Sequence, residues 1–193
     1  MALNLFIIGP SGCGKSTQAE LISKKYNISH VSTGETFRHE IAIGSELGLA
    51  AKKYVDRGIW VPSEILIKIV ALELSKVNNQ NFIVDGTPRI PDQCQLIEDY
   101  LSSFGQSTTA LIHLDVTFKE INQRRQKSGT SFQEKDRTDL SSEAVLQRQQ
   151  QYLKYNDPIM EYFNKQNKLI RVNGNRPIEP IFEDIVKEIE KIK

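Results

Sequence analysis

Short apolar runs recur along the chain at Leu3 to Ile8, Phe82 to Val84, Ala110 to Leu114 and Leu169 to Val172, each closed by polar or turn-forming residues. Runs of this length with few charges predict strands buried on both faces. A shorter and weaker run at Ser29 to Ser32 predicts a fifth. Between the runs, apolar positions fall at helical spacing: Ile65, Leu66, Ile69, Val70 and Leu74 share one face, as do Ile181, Ile185, Ile189 and Ile192. Strands alternating with helices predict an α/β fold, a five-stranded parallel sheet wrapped by helices. The helix opening near Ser142 meets Asn156-Asp157-Pro158, where Asp157 can cap and Pro158 can begin a new turn, so a kink or restart is expected there. The polar stretch from Lys127 to Ser142 is the best candidate for an excursion from the core. No repeat, low-complexity tract or Pro/Gly linker divides the chain.

The first candidate chemistry follows the first strand. Gly9-Pro10-Ser11-Gly12-Cys13-Gly14-Lys15-Ser16-Thr17 fits the pattern G-x-x-x-x-G-K-[S/T], placed between a predicted strand and a predicted helix. Its glycines let the backbone curl so that N–H groups converge on phosphate oxygens, and the helix behind adds the positive end of its dipole. Lys15 supplies a mobile charge for the outer phosphates, and the Ser16 hydroxyl suits a Mg²⁺ ligand. Asp85, ending the strand at Phe82, is placed to organise the same ion. Ser32-Thr33-Gly34-Glu35-Thr36-Phe37-Arg38 sets a hydroxyl, a glycine and an arginine around a helix start, an arrangement suited to a second anion. Gly86-Thr87-Pro88-Arg89 adds another arginine beside Asp85, with Gln93 one helical turn further on.

Composition narrows the field. At 193 residues the chain suits one domain, and 25 basic against 24 acidic side chains give no reason to expect nucleic acid or an anionic membrane as partner. Cys13 and Cys94 lie far apart and form neither a disulfide framework nor a zinc pattern, so a reducing, cytoplasmic setting is expected. The first apolar run is too short to span a bilayer and lacks the basic start of a secretory signal. His30, His39 and His113 are scattered and read as packing or surface residues.

Together these segments resemble the adenylate kinase family of nucleoside monophosphate kinases, almost end to end. The family's T-G-x-x-x-R is matched by Thr33, Gly34 and Arg38, and its G-S-E-L-G by Gly44 to Gly48. Its G-x-x-V-P is matched by Gly58-Ile59-Trp60-Val61-Pro62, and its D-G-F/Y-P-R-x-x-x-Q by Asp85, Gly86, Thr87, Pro88, Arg89 and Gln93. The resemblance implies a three-layer P-loop fold as one domain of residues 1–193, with a core of 1–31, 62–126 and 138–193, an acceptor-binding segment of 32–61 and a short lid at about 127–137. It implies Mg²⁺-dependent transfer of the γ-phosphoryl of ATP to a monophosphate, foremost AMP. ATP would be held by Gly12, Cys13, Gly14, Lys15, Ser16, Thr17, Arg124 and Arg176, and Mg²⁺ by Ser16 and, through water, Asp85. AMP would be held by Thr33, Arg38, Ile59, Trp60, Val61, Gly86, Arg89, Gln93, Arg137 and Arg148, and Lys15, Arg89, Arg124, Arg137 and Arg148 would serve catalysis. Arg125 and Lys127 read as a solvated helix face. A monomer without structural zinc is the family expectation, and nucleotides are the expected partners.

The chain also departs from the family. Thr87 stands at an aromatic position, which implies a looser acceptor pocket or a different base; Ser128 replaces a lid arginine, and Arg137-Thr138-Asp139-Leu140 keeps one carboxylate of R-x-D-D. These leave two alternatives open: a UMP/CMP-type kinase, and a nucleotide-binding regulatory or assembly protein with weak kinase activity.

Overall fold

The computed structural model describes residues 2–127 and 141–192. Its elements run β1 (Asn4–Ile8), α1 (Lys15–Tyr26), β2 (Ser29–Ser32), α2 (Thr33–Ala42), α3 (Glu46–Val55), α4 (Ser63–Ser75), β3 (Phe82–Asp85), α5 (Asp92–Ser102), β4 (Ala110–Asp115), α6 (Phe118–Lys127), α7 (Ser142–Asn164), β5 (Leu169–Asn173) and α8 (Ile178–Ile192). The five strands form one sheet in the order β2-β3-β1-β4-β5, with every neighbouring pair parallel. All five predicted strands are present.

Alternation along β1 divides the core into two layers. Leu5 and Ile7 face Ala19 and Ile22 of α1 and Ile181, Ile185 and Ile189 of α8. Phe6 and Ile8 face the opposite way, toward Leu66, Ile69 and Val70 of α4, Ile97 of α5 and Ile159 and Phe163 of α7. Both helical stripes read from the sequence therefore point into the sheet, one on each side, except Ile192 in the last turn of α8, which is exposed. Phe6 and Phe82 are fully buried and meet edge to face with centroids 5.8 Å apart. Cutting either to Ala would cost about 3–5 kcal/mol.

The register brings chemistry to one edge. Asp85 at the end of β3 pairs with Ile7 of β1 on one side and Ser32 of β2 on the other. The residues that follow β1, β2 and β3 thus emerge side by side at the carboxyl ends of the strands, the usual ligand edge of an open parallel sheet.

The restart expected at Pro158 needs correction. α7 does not restart at Pro158 but continues from Ser142 to Asn164 with the proline inside it. Proline there removes one backbone donor, yet Ile159, Met160 and Phe163 just beyond it are buried against the sheet. The core contacts of the last turns outweigh the local preference, and Asn156 Nδ2 reaches Met160 Sδ at 3.6 Å across the same turn. Among the described residues, no helix is long and apolar enough to cross a membrane.

Candidate active site

A cleft of about 830 Å³ opens at the carboxyl edge of the sheet. Its first wall is the loop after β1. Gly12 and Gly14 have φ of 84° and 96°, left-handed values at which a side chain is strained, so the glycines of the pattern are required by the turn. α1 begins directly at Lys15, with no side-chain cap on Gly14 and no acidic residue in its first turn. The free N–H groups and dipole of that helix end remain directed to an anion. Lys15 is 9% exposed, and its nearest acceptor, the Pro10 carbonyl, is 3.5 Å from Nζ, at the outer limit of a hydrogen bond. The Cys13 side chain is buried away from solvent.

Below the loop, Ser16 Oγ donates to Asp85 Oδ2, and Asp85 Oδ1 is buried with no partner. A buried carboxylate oxygen left unsatisfied is costly unless something positive meets it. No three His, Cys, Asp or Glu side chains cluster among the described residues, so a cation here would rest on Ser16, Asp85 and oxygens from a ligand or water.

The second wall is built from β2, β3 and their following segments. Ser32 caps α2, accepting from Glu35 N at 3.4 Å, and Thr33 Oγ1 donates to the Asp85 carbonyl at 2.9 Å. Arg38, one turn into α2, lines the cleft. Arg89 Nε donates to the Gly86 carbonyl, and its guanidinium lies 4.6 Å from the centre of the Trp60 ring. Burial lowers the Arg89 pKa from its ordinary value, Asp85 and Cys13 oppose that, and Arg148 adds to it. An arginine remains charged throughout. Gln93 Oε1 accepts from Arg89 N at 2.7 Å and Ile90 N at 3.3 Å, while Nε2 donates to the Val61 carbonyl at 3.2 Å. Thr87 is fully buried, with Oγ1 3.4 Å from Thr33 Oγ1, and the Trp60 ring lies beside Arg89.

Arg124 ties three segments together. Its Nε pairs with Glu120 at 2.9 Å, Nη1 donates to the Cys13 carbonyl at 3.1 Å, and Nη2 donates to Gly174 O at 2.6 Å and Arg176 O at 3.2 Å. Arg176 turns its own fork to Asp184 of α8 at 2.6 Å. Arg148, on α7, is 8% exposed and lines the cleft.

Every candidate residue from the sequence that the structure describes lines this one cleft: the Gly12 to Thr17 loop, Thr33, Arg38, Ile59 to Val61, Asp85, Gly86, Arg89, Gln93, Arg124, Arg148 and Arg176. Arg137, with Ser128, Asp139, Leu140 and most of the expected lid, lies outside the described residues, as do the side chains of Arg125 and Lys127. The sequence did not point to Asn175, Pro177 and Ile178, which line the cleft after β5. Glu120 was within reach of the sequence, being one helical turn before Arg124. His113 is a buried packing residue: Nε2 lies 2.8 Å from Tyr152 Oη, and burial lowers its pKa from 6.5 to about 4.

Known proteins match this sequence along almost the full chain. The family model described as adenylate kinase matches residues 7–168. An adenylate kinase of Azobacteroides pseudotrichonymphae is 36% identical over 191 residues, covering 98% of each chain. One from Bacteroides fragilis is 36% identical over 98% of this chain and 100% of its own, and one from Clostridium tetani is 34% identical over 95% and 96%. With the phosphate loop, Asp85 and the Thr33 to Arg38 and Asp85 to Gln93 segments gathered in one cleft, the chain belongs to the adenylate kinase family.

Proposed function

We propose that this chain transfers the γ-phosphoryl group of ATP to AMP, giving two ADP, in a Mg²⁺-dependent reaction. The observation that carries this reading is the single cleft shared by two anion-binding walls, the loop at Gly12 to Thr17 and the group Thr33, Arg38, Arg89 and Gln93. A phosphate hydrolase needs only the first.

In this reading the loop amides and Lys15 hold the donor phosphates, and Pro177, Ile178 and Ile181 offer an apolar bed for the donor base next to Arg124 and Arg176. Ser16 and Asp85 fit a magnesium ion, since the unpartnered Asp85 Oδ1 and the Ser16 hydroxyl are hard oxygen donors in one place. When bound, that ion neutralises charge on the outer donor phosphates. In this reading residues 32–61 are the acceptor-binding segment, while Arg137 and most of the expected lid lie outside the described residues. Arg38, Arg89 and Arg148 hold the acceptor phosphate and spread charge over the transferring oxygens, for which a forked cation is better suited than lysine. A monophosphate is largely ionised at neutral pH, so no side chain has to remove a proton from the attacking oxygen. His113, buried against Tyr152, is not called on. Gln93 commits its oxygen and one N–H to the main chain, which leaves one N–H to meet a ring nitrogen of the acceptor base.

Both cysteines are free and buried, which suits a reducing, cytoplasmic setting, and the reading includes a monomer. A coupled steady-state assay with AMP, UMP, CMP and GMP, with and without Mg²⁺, tests it. AMP should give the highest kcat/KM and require Mg²⁺. A UMP or CMP value about tenfold above that of AMP would move the acceptor to a pyrimidine; tight ATP binding without ADP formation would make the protein a nucleotide-binding regulator.

A further inference from the structure

The main chain at residues 58–61 forms part of the acceptor wall and is fastened by two glutamine amides from different helices. Gln93 reaches it from α5 at Val61. Gln151 reaches it from α7: Nε2 donates to the Gly58 carbonyl at 2.9 Å, and Oε1 accepts from Trp60 N at 2.9 Å. The second N–H of Gln151 returns to the Gln147 carbonyl of its own helix at 3.2 Å, so the donors and the acceptor of this amide are all engaged. A donor and an acceptor two residues apart on the chain are thus read as a neighbouring strand would read them.

A second point of attachment lies two turns earlier on the same helix. Gly58 packs so closely on Ala144 that an added Cβ would collide with the Ala144 carbonyl, and its φ is +68°. Between Ala144 and Gln151 on that face comes Arg148, buried and lining the cleft. Trp60 in turn stacks on Arg89. Arg89 and Arg148 therefore line one cleft beside a wall whose backbone is held to α7.

We infer that Gln151 is a positioning residue for the acceptor monophosphate: by holding Gly58 and Trp60 on α7 it fixes Trp60 against Arg89 and keeps Arg89 in register with Arg148. The inference rests on the reading above, in which those arginines hold the acceptor phosphate. The amide is required at this position. A carboxylate keeps the bond from Trp60 N but faces the Gly58 carbonyl with no donor, and an alkyl side chain leaves both main-chain groups unmet.

Trp60 is the single tryptophan of the chain, so its emission reports directly on this wall. The test compares the full-length wild type with Gln151→Ala and Gln151→Glu by emission without nucleotide, by KM for AMP and for ATP, and by AMP quenching of Trp60. In Gln151→Ala, emission moves to longer wavelength and KM for AMP rises about tenfold while KM for ATP stays within about twofold. Gln151→Glu, which keeps the Trp60 bond, falls between and decides the matter if the alanine variant does not fold. Unchanged emission and KM for AMP overturn the inference, as do equal rises in both KM values accompanied only by a lower Tm. In each of those cases a wild type that makes ADP from ATP and AMP leaves the proposed function standing. A wild type that binds AMP but makes no ADP overturns the proposed function, and the AMP dissociation constants from quenching then decide for Gln151. A wild type that does not bind AMP overturns both.

Discussion

The Ser16 hydroxyl donates to one oxygen of the Asp85 carboxylate, and the other oxygen of that carboxylate is buried without a partner. An asparagine at position 85 can still accept from Ser16 through its amide oxygen but carries no charge for a cation. Asp85→Asn should therefore fold with a Tm close to wild type and lose about 100-fold or more in kcat, a loss that added Mg²⁺ does not restore. Titrating Mg²⁺ in the coupled assay checks this, and a kcat within a few-fold of wild type would remove Asp85 from the metal site.

Arg89 uses shape as well as charge. Its Nε is anchored on Gly86, and its flat face lies on Trp60. A lysine keeps the charge and loses both, so Arg89→Lys should lower kcat/KM for AMP by about 100-fold with ATP binding unaltered. Parallel losses on the donor and acceptor sides would show that Arg89 does not belong to the acceptor wall.

Arg124 joins the carbonyl of Cys13 to the turn after β5 through Gly174 and Arg176. Arg124→Ala should cost about 1–3 kcal/mol of stability, because part-buried carbonyls lose a charged donor. Urea unfolding reads that loss, and KM for ATP should rise more than KM for AMP, since the donor loop is the part released.

His113 makes stability depend on acid. Burial lowers its pKa from 6.5 to about 4, opposed by Asp115 and Asp157 and reinforced by Arg171. Between those values the unfolded chain binds a proton that the folded chain does not, so stability falls as pH drops through that window. The loss from this one group is about 3 kcal/mol once pH is below the folded value. His113→Gln should lose less stability than wild type between pH 7 and pH 4, measured by urea unfolding at each pH. Equal losses in both proteins would assign the acid sensitivity elsewhere.

The sequence carries the parts of this site that are contiguous. The loop at Gly9 to Thr17 and the turn from Asp85 to Arg89 each place several polar groups within one bend of chain, so spacing alone exposes them. The central strands were equally plain, because β1, β3 and β4 are buried along nearly their whole length and carry the apolar runs Leu5 to Ile8, Phe82 to Val84 and Ala110 to Ile112. β2 gave a weaker signal since it lies at the sheet edge and only Val31 is buried. What spacing does not expose is pairing at long range: Gln151 with Gly58, His113 with Tyr152, and Arg124 with Gly174 are joined only by the fold. A restart at Pro158 did not occur for the related reason that a local breaker was overruled by distant packing at Ile159 and Phe163.

The phosphate loop turns its main chain to the cleft and the Cys13 thiol inward, to 1% exposure. A thiol reagent reaches that sulfur only during moments when the loop comes apart, so the rate of labelling in the folded protein counts those moments. A nucleotide that needs the closed loop slows the count in proportion to its own occupancy. Cys94, fully covered within α5 and outside the cleft, is released by a different opening and supplies the internal reference. Two thiols in one chain thereby separate the fluctuations of the donor site from those of the surrounding body.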